Sequence, residues 1–281
     1  MTKGRTVALY GDTGVGKTTQ LGEFAKEKFR STGTKTLLVA ADLGGSDAIQ
    51  DVISVGVVIP IVPSQDHDPW LWIDDVTNGS SLTPDIGAVA FDSGTSIGEM
   101  LLNWITKSDK QVGQQKTMKF SVGGGKGRSL VVGANNESHY GLVQNFLLDQ
   151  IWRSTWLIHK GLDVIWTFGL DRSEKQDSTP VVGPKLAGHA LTSSIPKWFR
   201  YTFRLVSIPT TAGQAPRHVL HLQEQPDLGG VGMSFANARY PLGADTPLPA
   251  TIEPASIVEA LRLIEAGQLE ADTKLRKELG L

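Results

Sequence analysis

Gly11, Asp12, Thr13, Gly14, Val15, Gly16, Lys17 and Thr18 fit the pattern G-x-x-x-x-G-K-[ST] without a mismatch. The glycines let the backbone curl so that several N–H groups point inward, and a following helix turns its positive end to the same spot. A polyphosphate is the guest that such a cradle suits. Lys17 would reach the terminal phosphates as a point charge, and the Thr18 hydroxyl would enter the shell of a Mg2+ ion, with Thr19 beside it. Two acids belong to the same chemistry. Asp92 closes an apolar run at 86–91 and is the carboxylate expected to hold magnesium through a water, with Ser93 and Thr95 offering hydroxyls on the phosphate side. Asp42 closes another apolar run at 36–41. It either orients a water against the terminal phosphate or caps the helix that follows near Ala48.

Positioning these groups requires strands that end together. Residues 5–10 read as a short buried strand, 18–29 as a helix and 36–41 as a second strand. Residues 53–62 read as a third strand with an irregular end at Gly56 and Pro60, and 86–91 as a fourth. A long amphipathic helix over 135–160, its aromatics turned to the core, ends at Gly161, and 162–168 returns to the sheet. That alternation predicts an α/β fold with a mostly parallel central sheet flanked by helices. Residues 198–207 and 218–223 predict an antiparallel extension of the sheet. Beyond Pro226 a Pro-rich connector leads to a helix with Pro254 in its first turn and Ile257, Val258, Leu261 and Ile264 on one face, followed by a second short helix or a frayed tail at 268–281. Residues 63–84 break the pattern, with Trp70 and Trp72 spaced as on one face of an extended segment. His67, between Asp66 and Asp68, suits a solvated loop better than a metal site.

Composition narrows the function classes. The 281 residues hold 27 basic and 29 acidic side chains, so no global field marks a nucleic-acid binder, and the lack of cysteine removes disulfides, thiolate metal sites and thiol nucleophiles. The start runs straight into a strand and no apolar run approaches a membrane span, so a cytoplasmic protein is expected. Local charge is another matter. Lys107, Lys110, Lys116, Lys119, Lys126 and Arg128 stand against Asp109 alone, in a flexible stretch that either tracks a nucleic-acid backbone or is a solvated loop. Lys197, Arg200 and Arg204 mix with Trp198, Phe199, Tyr201 and Phe203, a nucleic-acid theme that alternation in a half-buried strand explains better. Arg172, and Lys185 in the loop Gly183-Pro184-Lys185-Leu186-Ala187-Gly188, are candidates to reach a neighbouring subunit's nucleotide or DNA, or are plain surface charges.

The phosphate loop, Asp42, the Asp92-Ser93 strand end and the 183–188 loop together resemble the RecA-like P-loop ATPase core and, more narrowly, phage nucleotide-binding proteins that include the single-strand-annealing ATPases of the Sak type. The resemblance covers 4–225, with 239–242 continuing it, so that 1–225 would be the ATPase core and 226–281 a connector and helical extension. It implies ATP and Mg2+ as cofactors, hydrolysis between adjacent subunits of a homo-oligomer and single-stranded DNA as partner, in recombination or replication within an infected bacterial host. Asp42 would match the family's water-activating acid, and Lys185 resembles the lysine fingers of such filaments. A trans-acting finger is open among Arg153, Arg172, Arg200 and Arg204. The competing class is a nucleotide-dependent assembly protein in which turnover is incidental.

Overall fold

The computed structural model describes residues 4–42, 44–62, 69–80, 82–110, 116–120, 128–132, 136–173, 181–186, 194–211, 214–226 and 233–281. Its centre is β1 (Thr6–Tyr10), β2 (Lys35–Ala40), β3 (Val58–Ile61), β4 (Ile86–Asp92), β5 (Lys116–Phe120), β6 (Arg128–Val132), β7 (Asp163–Ser173), β8 (Val181–Lys185) and β9 (Tyr201–Ile208), of which β5 and β6 form a separate two-stranded ribbon. The others join a sheet in which β9, β1, β7, β4, β2 and β3 run side by side, all parallel. β10 (Arg217–His221) pairs antiparallel with β9, and β13 (Thr251–Ile252) with β10. Two short strands, β11 (Met233–Ser234) and β12 (Asn237–Ala238), pair with β8 and β9. The mostly parallel α/β sheet with an antiparallel extension is the architecture expected.

Period-two alternation sorts the sheet's residues onto two faces. Ala8 and Tyr10, Leu37 and Val39, Val89 and Phe91, and Val164, Trp166 and Phe168 enter one core, under α3 (Pro69–Thr77), α4 (Gly94–Lys110) and α5 (Asn136–Thr155). Val7 and Leu9, Leu38, Ala88 and Ala90, and Ile165 enter the other, under α1 (Lys17–Thr32), α2 (Gln50–Ser54) and α6 (Ile257–Leu279). Both faces are covered, which is why the central strands read as continuous apolar runs.

Several elements differ from the sequence expectation. Ile53 and Ser54 are helical, and β3 starts only at Val58 after the left-handed Gly56. Trp70 and Trp72 lie on helix α3, not on an extended segment. Within the basic stretch, 107–110 end α4, 116–120 form β5 and Arg128 begins β6, so these parts are regular in backbone. The side chains of Lys107, Lys110, Lys116, Lys119 and Arg128, and all of Lys126 and His67, lie outside the described residues. The long helix is α up to Thr155 and tightens to a 3-10 turn before Gly161. Pro254 precedes the last helix, whose N-cap is Ser256, its side chain accepting from Glu259 N. That helix then runs unbroken to Leu279, in place of a second helix or frayed tail, and residues 272–281 are exposed on every side. No helix among the described residues is long and apolar enough to cross a membrane.

The amino ends of β1 and β7 are tied by charge. Asp163, 3% exposed, accepts from Arg5 at 2.7 Å and Lys28 at 2.9 Å, and Arg5 extends to Glu265 of α6 at 2.6 Å. Burial alone would raise the Asp163 pKa, but the hydrogen bonds and charges of Arg5 and Lys28 outweigh it and hold the carboxyl below its ordinary value. A depressed folded pKa gives stability that is present above the unfolded value of about 4 and is lost as pH falls through the folded one. Asp163→Asn is expected to cost about 3 kcal/mol in urea unfolding at neutral pH, because it takes the shared buried carboxylate from the partly buried Arg5 and Lys28, leaving Arg5 only Glu265. The gap to wild type should narrow as the pH drops below about 4.

Candidate phosphate and magnesium site

The phosphate loop follows β1 at the carboxyl edge of the parallel strands, where open α/β sheets place their ligands. Gly14 and Gly16 hold φ of 78° and 93°, left-handed values that L side chains seldom adopt. Gly11 is required for a different reason: a Cβ there would lie 2.3 Å from the carbonyl oxygen of Leu205 on β9. Val15 is buried among the apolar residues of the α1 face, anchoring the loop, while Asp12, Thr13, Gly14 and Thr19 are exposed. α1 then starts at Lys17, with Gly16 as N-cap and no side chain capping it, so its first amide donors stay directed at the loop.

Lys17 Nζ donates to the carbonyls of Gly11 at 2.9 Å and Asp12 at 2.8 Å, holding the loop closed on itself. Burial pushes the Lys17 pKa down, against the attraction of Asp92, Asp12 and Asp42. A phosphate would take the place of those two carbonyls as partner of the ammonium group.

Asp92 ends β4, 4% exposed, and accepts from the Thr18 hydroxyl at 2.6 Å and from the Thr167 hydroxyl of β7. The interposed strand β7 separates β1 from β4, so the loop and the acid face each other across one strand, and Thr167 is the residue there that reaches Asp92. Thr167 is a site residue that sequence reasoning misses. Its position within the run 162–168 is the only signal it carries. Burial pushes the Asp92 pKa up, outweighing the two hydroxyls and the charge of Lys17.

The donor set fits a magnesium ion. Gly45 leaves the space that an ion needs, since a Cβ there would stand 3.1 Å from Thr18 Oγ1 and 3.2 Å from Asp92 Oδ2. Among the described residues no group of three or more His, Asp or Glu could hold a metal. Thr18 and Asp92 would therefore share the ion with phosphate oxygens and waters, the habit of Mg2+. Bound there, it would neutralise charge on the phosphates and the buried carboxylate.

Asp42 is exposed at the end of β2, and its amide and that of Ala41 donate to the carbonyl of Asp92 at 3.2 and 2.8 Å. It does not cap the next helical turn, whose N-cap is Gly45. With Lys17, Thr18, Asp92 and Gly45 it lines an open cleft of about 610 Å³. Ser93 and Thr95 are less available than expected. Ser93 Oγ contacts Ser96 Oγ and accepts from Ser96 N, and Thr95 Oγ1 donates to Lys185 O at 2.6 Å while accepting from Gly169 N at 2.9 Å.

The finger candidates divide. Arg153 is paired with Asp74 and Asp149 between α3 and α5, Arg204 is buried in β9, and Arg200 lies over the Tyr201 ring. Tyr201 and Phe203 are buried in the core, but so are Thr202 and Arg204 on the other face of the strand, so β9 is covered on both faces where alternation predicts a half-buried strand, and Trp198 is partly exposed. Only Arg172, 3.7 Å from Asp12, reaches the phosphate loop, and Lys185 lines the cleft near Glu99. Glu99 is a further residue that sequence reasoning misses. It stands on the same helix face as Thr95, four residues on.

No protein-family model matches the chain, and no curated protein does. Among solved structures it is similar to the crystal structure of a KaiC-like protein of the hyperthermophilic archaeon Pyrococcus horikoshii, with 14% identity over 82% of this chain and 89% of that one and a TM-score of 0.44. The fold assignment rests on the strand order and register given above.

An acid whose folded pKa is raised loses stability as pH climbs past its unfolded value. Asp92→Asn is expected to stabilise the nucleotide-free protein at neutral pH by about 1 kcal/mol in thermal unfolding, while abolishing magnesium-dependent nucleotide binding.

Proposed function

We propose that this chain is a magnesium-dependent ATPase of the RecA-like kind, acting on single-stranded DNA in recombination or replication. The observation that carries the nucleotide half is the meeting of Thr18 and Asp92 at 2.6 Å beside Lys17, at the carboxyl ends of parallel strands separated by one strand. Lys17 and the loop amides would hold the phosphates, Thr18 and Asp92 the metal ion, and Asp42, exposed on the same cleft, would orient the attacking water. The DNA half draws on the basic segment 107–128, within which 107–110 end α4, 116–120 form β5 and Arg128 begins β6. Six cations against one acid there would track a phosphate backbone.

A homo-oligomer is part of this reading. The outer turns of α6, with Leu275 and Leu279 exposed, offer a surface for a neighbouring copy. The same surface favours a second reading, an assembly protein whose oligomeric state ATP sets. Size measurement with ATP alone and with ATP plus DNA separates the two. A closed complex formed on ATP alone favours assembly.

Turnover of ATP should rise on addition of single-stranded DNA. Lys17→Ala should lower turnover by about two orders of magnitude or more and remove nucleotide binding. Hydrolysis that no DNA stimulates would sink the DNA half, and wild type that binds no nucleotide would sink the whole.

A further inference from the structure

Lys185 stands on β8, opposite Gly169 of β7, in an antiparallel pair whose Gly169–Lys185 end borders the site. That end of the pair is fixed to the start of α4 through Thr95, whose hydroxyl bridges Lys185 O and Gly169 N. Thr95 follows Asp92 by three residues, so the end of the pair and the metal-side acid are set by one short segment. The Lys185 side chain is held less firmly than its backbone. Its ammonium group lies 3.8 Å from Glu99 Oε1, and the two side chains are 48% and 59% exposed, a pair worth little in water.

Charge balance says where that ammonium group goes when the cleft fills. Asp12, Asp42, Asp92 and Glu99 set four acids around it, against Lys17 and Lys185, with Arg172 at the rim beside Asp12. A triphosphate adds about four negative charges and Mg2+ removes two, so a terminal phosphate would meet an excess of carboxylates, with Lys17 the nearest lysine of the phosphate loop among the described residues. A lysine on a flexible four-carbon stem, already lining the cleft and weakly paired, can supply the missing charge. A diphosphate, which lacks the terminal group, makes a smaller demand for it.

We infer that Lys185 serves the cleft of its own chain, exchanging Glu99 for the terminal phosphate of a bound nucleoside triphosphate, and thereby distinguishes triphosphate from diphosphate. This rests on the nucleotide reading above, and it departs from a finger that reaches into a neighbouring subunit.

The test is equilibrium binding of a non-hydrolysable ATP analogue and of ADP to the full chain with Mg2+. Lys185→Ala should weaken the analogue about tenfold and ADP less than about twofold, with an unchanged melting temperature in the absence of nucleotide. Lys185→Arg should restore most of the loss, and Glu99→Gln should tighten the analogue several-fold by removing the competing acid. An equal loss for both nucleotides, or no loss, overturns the inference. Mixing Lys185→Ala chains with Lys17→Ala chains gives a second readout. Turnover that stays low supports action within one chain, whereas recovered turnover places Lys185 across an interface and overturns it. Wild type that binds both nucleotides equally removes this inference alone; wild type that binds neither removes the nucleotide reading with it.

Discussion

The carboxylate of Asp92 is the constraint around which the site is built. A carboxylate withdrawn from water is costly unless donors converge on it, and here the donors are hydroxyls from two other elements, Thr18 on the first turn of α1 and Thr167 on β7. Those contacts hold only while β4, β7 and β1 keep their register, with Phe91 beside Trp166 and Tyr10 beside Phe168. The apolar side chains next to the acid fix that register. Phe91 stacks on Trp166 at 4.0 Å, and the Trp166 indole N–H donates to Ser154 of α5 at 3.0 Å. The chemistry at the sheet edge thus leans on a dry aromatic stack on one face of the same strands.

Close backbone approach does the rest. Besides Gly11 against Leu205, a Cβ at Gly94 would lie 2.5 Å from the ring of Phe168, so the start of α4 can sit against β7 only as glycine. That contact brings Thr95 within reach of Gly169 and Lys185, and Ser96 and Glu99 onto the cleft. Sequence order Asp92, Ser93, Gly94, Thr95 is thereby converted into an acid, a helix cap, a close contact and an anchor for the β7–β8 pair within four residues.

Much of this was legible in the chain. The phosphate loop, the two acids at strand ends and the parallel alternation all show as local patterns, because a strand covered on both faces is a continuous apolar run and a phosphate cradle needs glycines at fixed spacing. What stayed hidden was non-local or overridden. Ile97, Leu101 and Ile105 at intervals of four carry the signal for α4, and all three are buried, yet the glycines and lysines around them draw attention to loop and charge. Residues 53–54 are β-branched or small and still helical, since α2 packs Val52 against the α1 face of the sheet. Thr167 and Glu99 gain their roles only from strand order and helix face, which no single stretch of sequence states.

Asp163 and Asp92, the two most deeply buried acids among the described residues, sit at opposite ends of the sheet and are treated in opposite ways. Asp163, at the start of β7, has two cations in direct contact, and its carboxyl is held below the ordinary range. Asp92, at the end of β4, is contacted by hydroxyls, and burial raises its pKa. The first carries its countercharge within the fold and serves stability. The second has neutral donors, a cation nearby that is engaged with loop carbonyls, and a glycine that keeps the adjoining space open. A buried acid left in that condition is unfavourable for a protein that only has to fold, and is accounted for if its countercharge arrives with the ligand. The asymmetry between the two ends is thus a physical argument, independent of any motif, that the carboxyl edge of the sheet is a place where a cation would be favoured.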